Sequence, residues 1–147
     1  MHKLNFPEAV FQITEEYGKL WIFDRIRKKK IVLTPEEWVR QHLLSFLIEH
    51  RNCPRSLIQV EHGVTCNNLP RRVDVLVFDR QGLHWMVAEC KAAEVPLTPQ
   101  TAHQLAQYNM PLQARYLLLT NGLVHYCFAA DYRQQVLTPL QDIPYFE

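Results

Sequence analysis

The chain has 147 residues, of which 48% are hydrophobic, 21% charged and 11% aromatic. That is an ordinary globular composition at a length suited to one domain, and it excludes a disordered chain. Sixteen Lys and Arg against 15 Asp and Glu give a net charge of +1, which excludes a strongly basic nucleic-acid coat but not a local basic patch.

Residues 17–33 read as a strand pair. Leu20-Trp21-Ile22-Phe23 and Ile31-Val32-Leu33 flank a basic connection from Arg25 to Lys30, which is either a phosphate contact or a solvated hairpin tip. A helix then starts with Thr34 as N-cap, Pro35 at the first helical position and Glu37 three after the cap. Trp38, Leu44, Phe46, Leu47 and Ile48 give it an apolar face as far as about His50, and Pro54 closes it. Strands follow at about Ser56–Val64, Arg72–Phe78 and Leu83–Cys90, the last two joined by the turn residues Asp79-Arg80-Gln81-Gly82. A second helix starts at Thr98-Pro99 and stops near Asn109, ahead of Pro111. Arg115–Thr120 and Val124–Ala129 form a hairpin around Asn121-Gly122, and the segment holding Pro139 and Pro144 reads as an irregular tail.

This order predicts an α/β (α+β) fold, a mixed central sheet flanked by helices. It is expected to be one domain over 1–147, with the strand pair at 17–33 and the core at 34–130. Cys53, Cys66, Cys90 and Cys127 are scattered with no C-x-x-C pair, so reduced, mostly buried thiols are expected rather than a zinc site. The longest apolar runs are too short for a bilayer. No signal-peptide apolar region follows Met1-His2-Lys3-Leu4-Asn5, so a cytoplasmic protein is expected.

Asp74, Glu89 and Lys91 put charge where strands should bury apolar side chains. Glu89 and Lys91 are two apart and share one face, with Cys90 on the other, in the core. If Gln81-Gly82 is a two-residue loop, Asp74 falls opposite Glu89, within roughly 6 Å at Cβ, whereas a three-residue loop or a bulge shifts the register by one. A buried carboxylate pair needs a cation or a shared proton. Hard oxygen ligands in a partly open site suit Mg²⁺, with Lys91 placed to orient or activate an attacking water. The implied reaction is phosphodiester hydrolysis. A salt-bridged hairpin edge is the competing reading.

Asp74 through Lys91, within this order of helices and strands, resemble the PD-(D/E)xK nuclease superfamily. More closely, Thr34–Gln41, Arg72-Val73-Asp74, Ala88-Glu89-Cys90-Lys91-Ala92, Gln104-x-x-x-Tyr108-Asn109 and Leu119-Thr120-Asn121-Gly122 resemble the N-terminal nuclease domain of type I restriction enzyme R subunits. Val73 stands where the superfamily's name has proline. The resemblance implies a restriction-endonuclease-like core and a metal-dependent DNA endonuclease of restriction-modification type. Asp74 and Glu89 would bind Mg²⁺ (Mn²⁺ substituting), Lys91 would act on the water, and Gln104 and Tyr108 would support the substrate. Gln104 and Tyr108, four apart, also share a helix face.

Such R subunits carry a motor of two helicase-like domains, which 147 residues cannot hold, and no phosphate-binding Gly-rich loop occurs. The domain is therefore expected to work alone, as a homodimer, or with a separate helicase, translocase or specificity protein. Among weaker candidates, the superfamily resemblance also implies an acidic metal ligand on the first helix, Glu36 or Glu37, with Glu37 already serving as half of a capping box. Glu61 reads as solvent-facing, Arg71 and Arg72 as candidate phosphate contacts, and none of His62, His84, His103 and His125 has ligand spacing. A catalytically silent DNA-binding or protein-interaction module is the alternative, and DNA, RNA and structured junctions are not distinguished.

Overall fold

Two hydrogen-bonded sheets organise the chain, which the computed structural model describes over residues 1–147. The smaller is a meander of β1 (Ile13–Glu16), β2 (Lys19–Asp24) and β3 (Lys29–Val32). The strand pair expected at 17–33 is present as β2 and β3, but β1 adds a third strand ahead of it. Glu16 pairs with Lys19 across Tyr17-Gly18, whose φ angles of 53° and 75° suit a tight hairpin. All four residues of β1 are exposed, so no apolar alternation marks it in the sequence.

Helix α1 (Pro35–His50) begins as its capping residues dictate, with Glu37 N donating to Thr34 Oγ1 at 3.0 Å. Its buried stripe differs from the expected one. Val39, Leu43 and Leu47, spaced by four, are fully buried, while Trp38, Phe46 and Ile48 are only partly so. The reason is that Leu4, Phe6 and Ile26 also join its core cluster, so more than one side of the helix is covered.

The larger sheet has the order β4 (Ile58–Cys66), β5 (Leu69–Phe78), β6 (His84–Cys90), β7 (Tyr116–Thr120), β8 (His125–Asp131) and β9 (Val136–Leu140). Neighbours are antiparallel except β6 and β7, which are parallel. A parallel pair requires a crossover, and α2 (Pro99–Asn109) provides it. The result is the predicted mixed sheet flanked by two helices.

Strand residues alternate between two core clusters. Val75, Val77, Met86, Ala88 and Cys90 pack with Val39, Leu43 and Leu47 of α1. Leu76, Val87, Leu117 and Leu119 pack with Leu105 of α2. Each helix thus covers one face.

The ordered sheet runs past residue 130, the expected end of the core, because β9 occupies what reads as an irregular tail. Pro139 is tolerated there since β9 is an edge strand with no outer neighbour to receive an N–H. Beyond it, Ile143 and Phe146 are buried, and Arg51 Nε donates to the Ile143 carbonyl at 2.6 Å. The β7–β8 connection is also longer than expected, since Thr120 pairs with His125 and residues 121–124 form the loop. Gly122 holds φ +85°, and a Cβ there would meet Leu4 Cδ2 at 2.7 Å.

All four cysteines are free; Cys53, Cys90 and Cys127 are buried and Cys66 half-buried. Burial pushes the Cys53 and Cys127 thiols up to about 12. No helix is long and apolar enough to cross a membrane.

Candidate active site

The hairpin of β5 and β6 reaches the predicted register by an unpredicted route. Asp79 N donates to the Leu83 carbonyl at 2.7 Å, leaving a three-residue loop, Arg80–Gly82, with Gly82 at φ +85°. Phe78 accordingly pairs with His84, one step off the two-residue-loop register. Trp85 then forms a bulge, and Val77 pairs with Met86, Leu76 with Val87 and Val75 with Ala88. The two deviations cancel, so the next positions along, Asp74 and Glu89, stand across from each other.

The ladder ends there because the Asp74 side chain takes over a backbone donor, its Oδ2 accepting from Cys90 N at 2.6 Å. Lys91 Nζ lies 3.5 Å from Glu89 Oε1, and Lys91 N donates to the Thr120 carbonyl at 2.8 Å, which ties the lysine to the end of β7. The structure therefore brings Asp74, Glu89 and Lys91 together, with side chains 13%, 13% and 28% exposed.

Burial, then the neighbouring Asp74 charge, pushes the Glu89 carboxyl up to about 8. Burial also raises Asp74, against the opposing pull of Arg40 and the Cys90 N–H. Glu89 Oε2 is buried without a hydrogen-bond partner. A buried unpaired carboxylate oxygen is costly, and an incoming cation would satisfy it. No three His, Cys, Asp or Glu side chains lie close enough to form a protein-only metal cage. Two carboxylates in a part-open site nonetheless suit Mg²⁺ or Mn²⁺, which keep several water ligands.

Arg40 of α1 is a participant that the sequence reading missed. Its Nη2 lies 3.4 Å from Asp74 Oδ1 and 3.4 Å from Glu36 Oε1, and its Nη1 lies 3.4 Å from Glu61 Oε1. The available signal was an arginine one turn after Glu36, next to the apolar positions Val39 and Leu43 of the same helix. Behind it lies a second unforeseen cluster. Asp24, fully buried, accepts from Ile26 N at 2.7 Å, Arg27 N at 2.8 Å, Arg27 Nε at 2.7 Å and Gln41 Nε2 at 2.9 Å. Arg27 Nη2 bridges both Glu37 oxygens at 3.0 Å. This network pins the β2–β3 turn to α1.

These contacts separate the acidic candidates. Glu37 is committed to Arg27 and Gln41. Glu36 lies nearer the site, where burial and the Asp74 charge raise its carboxyl. Glu61 is part-exposed, as expected, but its φ of 56° accompanies contacts with Arg27, Arg40 and Arg72 at 3.8, 3.4 and 3.5 Å. Within the basic run, Arg25 pairs with Glu49 and Lys30 with Glu16, while Lys28 and Lys29 point outward without an ion-pair partner. Arg71 and Arg72 are exposed and line an open groove with Gly63 and Thr65.

On α2, Gln104 Nε2 donates to Tyr108 Oη at 3.0 Å, as the four-residue spacing predicts. Tyr108 also packs against the α2-side core. Gln104 and Lys91 line one polar cleft of about 350 Å³ with Thr98, Gln100, Thr101, His103 and Gln107. The strand ends, α1 and α2 thus converge on a single open corner.

A mixed sheet covered by one helix on each face, with an aspartate in the middle of β5 beside a glutamate and a lysine at the end of β6, defines a restriction-endonuclease-like domain. Residues 35–144 match the family described as Type I restriction enzyme R protein N terminus, and the chain belongs to that family. Among solved structures it is similar to a fragment described as an HsdR subunit of a type I restriction enzyme from Vibrio vulnificus YJ016. There the TM-score is 0.55 at 21% identity, covering 77% of this chain and 24% of that one. It is also similar to the type IIG restriction endonuclease BpuSI, with a TM-score of 0.51 at 18% identity, covering 95% of this chain and 15% of that one. The chain thus spans a quarter or less of the length of these relatives. No curated protein matches significantly.

Proposed function

We propose that the domain, acting as one unit over residues 1–147, is a metal-dependent DNA endonuclease that hydrolyses phosphodiester bonds. The observation carrying this reading is the Glu89 carboxylate, buried with one oxygen unpartnered, across the hairpin from Asp74 and 3.5 Å from the Lys91 ammonium. Membership of a restriction-enzyme family supports the reaction class.

Asp74 and Glu89 would hold Mg²⁺ or Mn²⁺, which supplies Lewis-acid stabilisation of charge on the phosphoryl oxygens. Lys91, part-exposed beside Glu89, donates hydrogen bonds to the attacking water and to a phosphate oxygen. Gln104, oriented by Tyr108, presents its amide to the strand carrying the scissile bond, across the cleft that it shares with Lys91. With a net charge of only +1, the domain has little intrinsic electrostatic affinity for DNA. Delivery by a separate helicase, translocase or specificity protein, or pairing of two copies, would supply it.

The silent-module reading has one observation in its favour, since Arg40 and Lys91 already contact Asp74 and Glu89. In that reading the Glu89 carboxyl, pushed up to about 8, shares a proton with Asp74 and no cation enters. The test is cleavage of plasmid, single-stranded DNA and RNA by wild type and Lys91→Ala, in Mn²⁺ and in EDTA. Cutting of DNA that requires metal and disappears in the variant is the expected result. Cutting that survives EDTA or the substitution contradicts the assignment, and cutting of RNA alone reassigns the substrate.

A further inference from the structure

A charged side chain in the protein interior must be compensated, and Arg40, 6% exposed, is compensated in an unusual way. Carboxylates of four residues surround it. Glu37 is already tightly engaged, at 3.0 Å by Arg27 and 3.1 Å by Gln41. Glu36, Glu61 and Asp74 remain, and the guanidinium touches each at 3.4 Å, while its Nε has no partner. A committed arginine forks onto one carboxylate at about 2.7–2.9 Å, as Arg27 does with Asp24 at 2.7 Å. Arg40 instead donates to three carboxylate oxygens at the same distance and favours none, which is how a cation is shared by a ligand set.

Its position is fixed from behind. Gln41, the next residue of α1, is held by Asp24 and Glu37, so the helix turn carrying Arg40 is anchored to the β2–β3 turn. On its far side, Asp74 has Oδ1 toward Arg40 and Oδ2 on Cys90 N, and Glu89 stands across the hairpin.

We propose that Arg40 is a positioning residue, a resident cation filling the place on the α1 side of Asp74 that a second divalent ion would take, so that the site admits one ion, between Asp74 and Glu89. Glu36 and Glu61 are then partners of Arg40 and not metal ligands. The guanidinium also spaces these carboxylates, which accounts for the absence of any three close enough to share an ion. This inference rests on the metal-dependent reading above.

The test is Mn²⁺ stoichiometry and affinity on the full chain, by calorimetry and by electron paramagnetic resonance of free Mn²⁺. Wild type takes one ion and Arg40→Lys takes one. Arg40→Ala, which removes the charge and opens space among three carboxylates, takes two. Glu36→Gln, on a side chain 46% exposed, changes the wild-type affinity by less than about threefold, whereas loss of a true ligand costs about tenfold or more. Two ions on wild type, one on folded Arg40→Ala, or a tenfold loss in Glu36→Gln each overturns the proposal. If wild type binds none, the metal reading itself fails. Arg40→Ala then still separates the two, because one ion gained there supports the resident cation and none overturns it.

Discussion

Glu89→Gln should stabilise the metal-free protein while destroying its metal site. The glutamate carboxyl is pushed from 4.5 up to about 8 by burial and by Asp74. The folded state therefore keeps a proton that the unfolded chain releases. The stability associated with this group is fully present below pH 4.5, declines as pH rises, and is lost above about 8. Each decade of proton activity is worth about 1.4 kcal/mol, so relief of this cost has a ceiling of about 4 kcal/mol at pH 8. Asp74 shares the strain, and glutamine retains the buried polar bulk, so a gain of about 2–3 kcal/mol at pH 8 is expected, shrinking below about 1 kcal/mol at pH 5. Urea unfolding of wild type and variant in EDTA at the two pH values measures it. A variant that is no more stable at pH 8, or whose gain is equal at both pH values, would show that the Glu89 carboxylate is not strained by its surroundings.

Other substitutions probe the scaffold and the cleft. Hydrogen bonds from the Arg27 backbone and side chain outweigh burial and hold the Asp24 carboxyl below its ordinary value, so Asp24→Asn should cost about 3 kcal/mol at pH 7. That cost should fall in acid, where wild-type Asp24 loses its own contribution, as urea unfolding at pH 7 and pH 3 would show. Gly122→Ala should cost about 1–3 kcal/mol, since φ is +85° and the new Cβ meets Leu4; thermal unfolding measures this. Tyr108→Phe should leave stability within about 0.5 kcal/mol but lower cleavage by freeing the Gln104 amide that the phenol orients, a loss visible in single-turnover assays.

Features marked by strong local chemistry were readable in the sequence. The N-cap and proline at Thr34-Pro35 and Thr98-Pro99 placed both helix starts, and apolar runs bounded by turn residues placed β4 to β8. The pairing of Asp74 with Glu89 was readable only because a three-residue loop and a bulge at Trp85 offset each other, and neither deviation has a clear sequence mark. β1 was invisible because it is polar and exposed, and β9 because Pro139 reads as a breaker until it is known to lie on an edge. Arg40 and the Asp24–Arg27–Glu37–Gln41 cluster are long-range arrangements. They join a turn, a helix and a strand whose relative placement no local pattern encodes, and Glu37 shows the consequence. Its capping role is local and legible, whereas its carboxylate serves Arg27, ten residues earlier.

Direct titration of the purified chain with Mn²⁺ tests whether Asp74 and Glu89 form a divalent-cation site without depending on a substrate or partner. Wild type should bind with millimolar or tighter affinity, and Asp74→Ala should abolish the signal while remaining folded by circular dichroism. Absence of binding by wild type, or binding that survives Asp74→Ala, would rule out a divalent-cation site at these two carboxylates.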